Sequence, residues 1–131
     1  MSETIHRACL CGRIAFDVNA PEAMGACHCT RCQRWTGSAC SMVVVASAKN
    51  LKITKGQDSM KKYSEEKFGD RYFCGHCGSG IYADGGEKFY VCAGGLKDVK
   101  LKPAFHIQVA YKAPWDEIAG KAPQFPEWPP A

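Results

Sequence analysis

Apolar and polar residues alternate along most of this chain in short runs, the period of a half-buried strand rather than a helix. Around Ile14, Phe16 and Val18 every second position is apolar, so residues 7–18 read as one strand. That strand carries Cys9 and Cys11 at its N-terminal end and stops at Pro21. The β-branched run at 41–46 and the period-two run at 51–54 predict two strands joined by a turn at 48–50, paired as a meander. Residues 60–63 and 70–73 predict a further hairpin that delivers Cys74, and Ile81-Tyr82 begins the strand that leaves the Cys74–Cys77 turn. Residues 88–92 and 105–109 are again strand-like, with a turn at Gly94-Gly95. Residues 27–37 break the pattern and suit a knuckle followed by a short helical turn through 31–35. The tail from Trp115 holds four prolines and two tryptophans, which excludes a long helix and predicts an irregular arm packing its aromatics on the sheet. The fold predicted is mainly β.

Length and charge narrow the partners. A chain of 131 residues suits one domain, residues 1–131, burying about two thirds of its unfolded surface. The net charge is +4, and six lysines fall within 49–67, but Asp58, Glu65 and Glu66 are interleaved with them. That segment reads as a solvated face, and no nucleic-acid partner is expected. No stretch approaches the roughly twenty apolar residues of a membrane span. The start, Met-Ser-Glu-Thr-Ile-His-Arg, lacks the apolar run of an export signal, so reduced thiols and a cytoplasmic setting are expected.

The candidate chemistry lies in nine cysteines, seven of which fall in three tight clusters. Cys9 and Cys11, combined with Cys74 and Cys77, offer four sulfurs, enough to close a tetrahedral structural zinc site. Cys27, Cys29 and Cys32 offer three and leave a fourth position to be filled. Two zincs per chain are therefore expected. His28 or a distant His106 would close the second site, although a ring flanked by two ligands tends to point away from the metal they hold. His76 reads as a surface turn residue and Trp35 as a cap on the knuckle. Cys40 and Cys92 read as small buried hydrophobes, and His106 as a structural histidine.

If the second site is open, charge decides its chemistry. Three thiolates on a divalent zinc sum to minus one, which makes a weak Lewis acid with a soft ligand set that accepts a fourth sulfur. A thiol entering such a site loses its proton, and its sulfur is then placed to attack, or to leave, a small electrophilic carbon.

The motifs Cys-Leu-Cys-Gly at 9–12, Cys-His-Cys-Thr-Arg-Cys-Gln-Arg at 27–34 and Phe-Cys-Gly-His-Cys-Gly-Ser at 73–79 resemble those of the glutathione-dependent formaldehyde-activating enzymes. Relatives of that family include centromere protein V. The likeness continues through residues 92–96, His106-Ile107 and 112–115. It implies a tent-like, zinc-stapled β fold, with a structural zinc on Cys9, Cys11, Cys74 and Cys77 and a second zinc on Cys27, Cys29 and Cys32. It also implies a carbon-sulfur lyase activity, run in the direction that joins glutathione to formaldehyde. Arg31, Arg34 and the lysines then become candidates to hold glutathione's carboxylates.

Two alternatives stand beside an enzyme in which Cys27, Cys29 and Cys32 form the catalytic site. In one, both zincs are structural and the domain is a binding module for a protein partner. In the other, the knuckle at 27–32 is a redox-responsive switch.

Overall fold

A computed structural model describes residues 3–130. Ten strands and one short helix follow one another: β1 (Thr4–Ala8), β2 (Ala15–Asn19), β3 (Ala23–Cys27), α1 (Thr30–Thr36), β4 (Ser41–Ser47), β5 (Leu51–Lys55), β6 (Met60–Glu65), β7 (Gly69–Cys74), β8 (Gly80–Asp84), β9 (Lys88–Cys92) and β10 (Pro103–Ile107). They form a three-stranded sheet ordered β1-β2-β5 and a seven-stranded sheet ordered β10-β3-β4-β9-β8-β7-β6. The fold is mainly β. Among the described residues, no helix is long and apolar enough to cross a membrane.

Alternation sets which face each residue serves. Ile5, Phe16 and Val18 of the small sheet and Val44, Ala46 and Val91 of the large one belong to a single buried cluster, so the core lies between the two sheets. Each of these side chains larger than alanine contributes about 1.5–3 kcal/mol by leaving water. The intervening positions of the large sheet face the other way. Pairing aligns Phe105, Gly25, Val43 and Cys92 across four strands, with Ile107, Cys27 and Ser41 in the next row. Tyr90, Ala83 and Arg71 extend this face toward the β6–β7 hairpin. That second face carries the candidate site.

Three elements differ from the expectations. Residues 7–18 are two antiparallel strands, not one, and the cysteine pair occupies the turn between them, where Cys9 N donates to Ile14 O at 2.9 Å and Gly12 N to Cys9 O at 3.0 Å. The turn is invisible to a periodicity argument because Ile14 continues the alternation that Phe16 and Val18 establish. The strands at 41–47 and 51–55 do not pair with each other: β4 joins the large sheet and β5 pairs with β2 in the small one. The 3-10 turn Ala48–Asn50 carries the chain from one layer to the other, so this connection is an inter-sheet crossing rather than a meander.

The strand β3 is the third difference. Its sequence, Ala-Met-Gly-Ala-Cys, is small and β-poor. It forms because β10 and β4 pair on either side of it and because Gly25 has no side chain to obstruct Phe105. The tail does run along the sheet, where His106 N donates to Pro123 O and Phe125 N to His106 O, both at 2.8 Å, covering the edge of β10. Its tryptophans stay largely exposed, Trp115 at 71% and Trp128 at 68%, although Trp128 does border a cleft on the large sheet.

Candidate metal centres and the cleft beside them

Two similar turns build the first cluster. The β1–β2 turn presents Cys9 and Cys11, and the β7–β8 turn presents Cys74 and Cys77. In the second turn Cys74 N donates to Ser79 O and Gly78 N to Cys74 O, both at 2.9 Å. Gly12 and Gly78 hold positive φ angles of +81° and +79°, a conformation that side chains with a Cβ resist. The Ser79 hydroxyl accepts from Leu10 N at 3.0 Å and ties the turns together.

All four sulfurs lie within 4.8 Å of one another. Cys9 and Cys11 are 3.7 Å apart, and Cys11 and Cys74 are 3.9 Å apart. Four sulfurs at zinc–sulfur distances of about 2.3 Å define a tetrahedron with edges of about 3.8 Å, so the donor set fits zinc. Backbone amides aim at these sulfurs, although Cys74 itself is pushed up by burial and by its thiol neighbours. Ile14 N donates to Cys9 Sγ at 3.3 Å and His76 N to Cys74 Sγ at 3.4 Å. Cys77 is pulled down to about 5, chiefly by the Ser79 hydroxyl and then by the Ser79 and Cys11 amides. His76 itself is exposed.

Cys27 ends β3, while Cys29 caps α1 and Cys32 lies in its first turn. The Cys29 sulfur accepts from Cys32 N at 3.3 Å in place of the usual oxygen cap. These three sulfurs also lie within 4.8 Å of one another. Cys27 is shifted down because the Cys32 thiol donates to it, whereas Cys32 is pushed far up by the same bond and by burial. Three negative charges crowd too closely here to coexist without a cation, which is the electrostatic signature of a metal cradle. Among the described residues, no fourth histidine, cysteine or carboxylate ligand atom lies within 4.8 Å of all three sulfurs. Both groups can hold metal ions.

The His28 ring turns away from this cluster. Its Nε2 lies 3.0 Å from Nδ1 of the buried His106, and its own Nδ1 is buried without a hydrogen-bond partner, 3.9 Å from the Asp116 carboxylate. Burial, then the neighbouring His106, depresses the His28 pKa. The pair ties the knuckle to β10 from beneath, and neither ring stands among the three sulfurs.

Beside Cys27 and Cys32 a cleft of about 200 Å³ opens over the second face of the large sheet. Phe105 and Ile107 wall one side, Trp35 of α1 stands over it and Phe68 comes from the β6–β7 turn. Trp35 therefore lines the cleft rather than capping the knuckle. An added Cβ at Gly25 would fall 2.5 Å from Phe105 Cε1 and closer to two other ring carbons, so the bare backbone of β3 is what lets this ring lie on the sheet.

Residues outside the cysteine motifs complete the site. Glu65 accepts from Arg31 Nε and Nη2 at 3.0 and 2.7 Å and from Arg71 Nε at 2.8 Å, binding the hairpin tip to α1. These bonds, that to Arg31 first, hold the Glu65 carboxyl down at about 2. Phe68 lies 3.5 Å beneath the Arg31 guanidinium. Arg34, by contrast, is exposed and outside the cleft. Cys92 faces the cleft on β9, and burial raises its pKa. The alternation of 70–73 places Arg71 and Phe73 on one face. It was the partner strand, absent from any local pattern, that put Arg71 opposite Ala83 and thus over the cleft.

Comparison with known proteins agrees with this construction. A crystal structure of a Rhodobacter sphaeroides protein superposes with a TM-score of 0.62 at 20% identity, over 91% of this chain and 98% of that one. The likeness is one of fold. Residues 4–111 match the sequence profile described as glutathione-dependent formaldehyde-activating enzyme, a stretch that holds all three cysteine motifs and every strand. This chain belongs to the glutathione-dependent formaldehyde-activating enzyme family.

Proposed function

We propose that the protein is a zinc-dependent carbon-sulfur lyase that adds a low-molecular-weight thiol such as glutathione to formaldehyde or a related small aldehyde, or reverses that addition. The single observation that carries this reading is a cluster of three sulfurs with no fourth described ligand, facing a cleft. Cys27, Cys29 and Cys32 hold the catalytic zinc in this account, and Cys9, Cys11, Cys74 and Cys77 the structural one. When bound, the catalytic zinc lowers the pKa of a thiol delivered to it.

The remaining work belongs to the chain. Cys27, at the end of β3, and Cys32, on α1, border the cleft, and the Cys32 amide fixes the sulfur of Cys29 at the helix cap. Apolar walls at Phe105, Ile107 and Trp35 exclude water from the reacting pair, which disfavours hydrolysis and strengthens polar contacts. In the addition, a sulfur–carbon bond forms, the carbonyl π bond breaks, and the proton released from the thiol ends on the new hydroxyl. The reducing conditions these free thiols require point to the cytoplasm.

Thiol and formaldehyde combine spontaneously, so the test is an exchange rate. Magnetisation-transfer NMR on equilibrated thiol, formaldehyde and adduct should show exchange faster with zinc-loaded protein than without it. Cys29→Ser, still folded by circular dichroism, should return the rate to background. Exchange unaffected by the wild-type protein would remove the lyase reading.

A further inference from the structure

The cleft beside the three sulfurs is small, mostly apolar and unevenly charged, and those properties select a substrate. Its volume of about 200 Å³ lies below the roughly 300 Å³ at which pockets begin to enclose drug-sized ligands, and a tripeptide exceeds it. Two guanidiniums, those of Arg31 and Arg71, share the one carboxylate of Glu65. Arg31 is engaged through a bidentate pair and stacked on Phe68. Arg71 gives Glu65 only its Nε, so neither of its terminal nitrogens has a hydrogen-bond partner among the described residues, although its side chain is only 11% exposed. Those nitrogens keep some access to solvent, and a planar fork of unpaired donors on a cleft wall matches the geometry of a carboxylate.

Resting on the thiol-addition reading above, we propose that the substrate bound here is a small thiol with an apolar body and a single carboxylate. The carboxylate is held by the terminal nitrogens of Arg71, and the sulfur reaches toward Cys27 and Cys32. The body lies against Phe105, Ile107 and Trp35. A second carboxylate finds no partner: the remaining charged residue on the cleft wall is Asp84, itself anionic, with one oxygen accepting from Gly86 N. Glutathione, with two carboxylates and an ammonium, is disfavoured on charge, and only part of it fits within the cleft.

Isothermal titration of the zinc-loaded full chain with mercaptopropionate, its uncharged amide and glutathione tests this. The acid should bind about tenfold tighter than the amide and more tightly than glutathione. Arg71→Met should bring the ratio of acid to amide affinity to about one. Arg71→Lys, which keeps the charge and loses the fork, should retain part of the acid's advantage and guards against a Met variant that misfolds. Equal binding of acid and amide, a preference that survives Arg71→Met, or tighter binding of glutathione would overturn the inference while leaving thiol addition standing. If no thiol binds to protein carrying two zincs, the thiol-addition reading fails with it.

Discussion

Gly25→Ala measures how the strand that carries Cys27 makes room for the cleft. The new methyl would meet three carbons of the Phe105 ring, one at 2.5 Å and two closer, separations that packed side chains do not tolerate. Phe105 is half-buried and must swing outward, at an overpacking cost of about 1–3 kcal/mol. Against this, alanine in a strand recovers about 0.5–1 kcal/mol relative to glycine. The net loss is about 0–2.5 kcal/mol, centred near 1, which for this chain length lowers Tm by up to roughly 10 °C. Thermal unfolding of four zinc-loaded proteins completes a double-mutant cycle: wild type, Gly25→Ala, Phe105→Ala and the pair. With Phe105 removed, Gly25→Ala should be neutral or stabilising. If it costs as much without the ring as with it, the clash is not the reason for glycine at this position.

Cys74→Ser should leave the chain unfolded by circular dichroism, because a structural zinc supplies about 10–16 kcal/mol, as much as the whole stability of a typical domain; Cys29→Ser should remain folded, and equal destabilisation by the two would erase the division into structural and catalytic sites. Glu65→Gln should cost about 2 kcal/mol by removing the charge and one of the two acceptor oxygens that Arg31 and Arg71 share. Since the folded carboxyl is depressed to about 2 from an ordinary 4.5, its contribution is fully present above pH 4.5 and is lost as pH falls from there toward 2. The cost measured by denaturant titration should therefore be equal at pH 7 and pH 5.5, and a cost already shrinking in that interval would contradict the pairing. Removing residues 123–131 exposes the edge of β10 and should produce concentration-dependent association in sedimentation; a truncated chain that stays at its original mass would show that the tail does not guard that edge.

Local signals carried more of the site than of the topology. Cysteine spacing placed Cys27, Cys29 and Cys32 in one cluster because residues two and five apart in a tight turn are necessarily neighbours, and α1 follows where the knuckle predicted it. Lys88–Cys92, with two aromatics and a valine, reads as a strand and is one over those same residues. What escaped was long-range. The alternation at Ile14 runs on from that of β2 although Ile14 belongs to the turn, so one strand was expected where a hairpin stands. Nothing near residue 50 states that β4 and β5 belong to different sheets, because a 3-10 turn and a hairpin turn draw on similar residues. β3 has neither alternation nor β-branched residues, and it is held by pairing with β4 and with β10, the latter some eighty positions later. Arg71 became a cleft residue through the same kind of non-local pairing, which composition does not encode.

The account rests on two thiolate sites, one closed by four sulfurs and one left open by three. Zinc per chain, determined by plasma emission spectrometry on untagged protein purified without chelator, tests it most directly. Two zincs in the wild type, falling to one in a folded Cys29→Ser, are expected. A single zinc in the wild type, unchanged by Cys29→Ser, would contradict the second site and the thiol chemistry built on it.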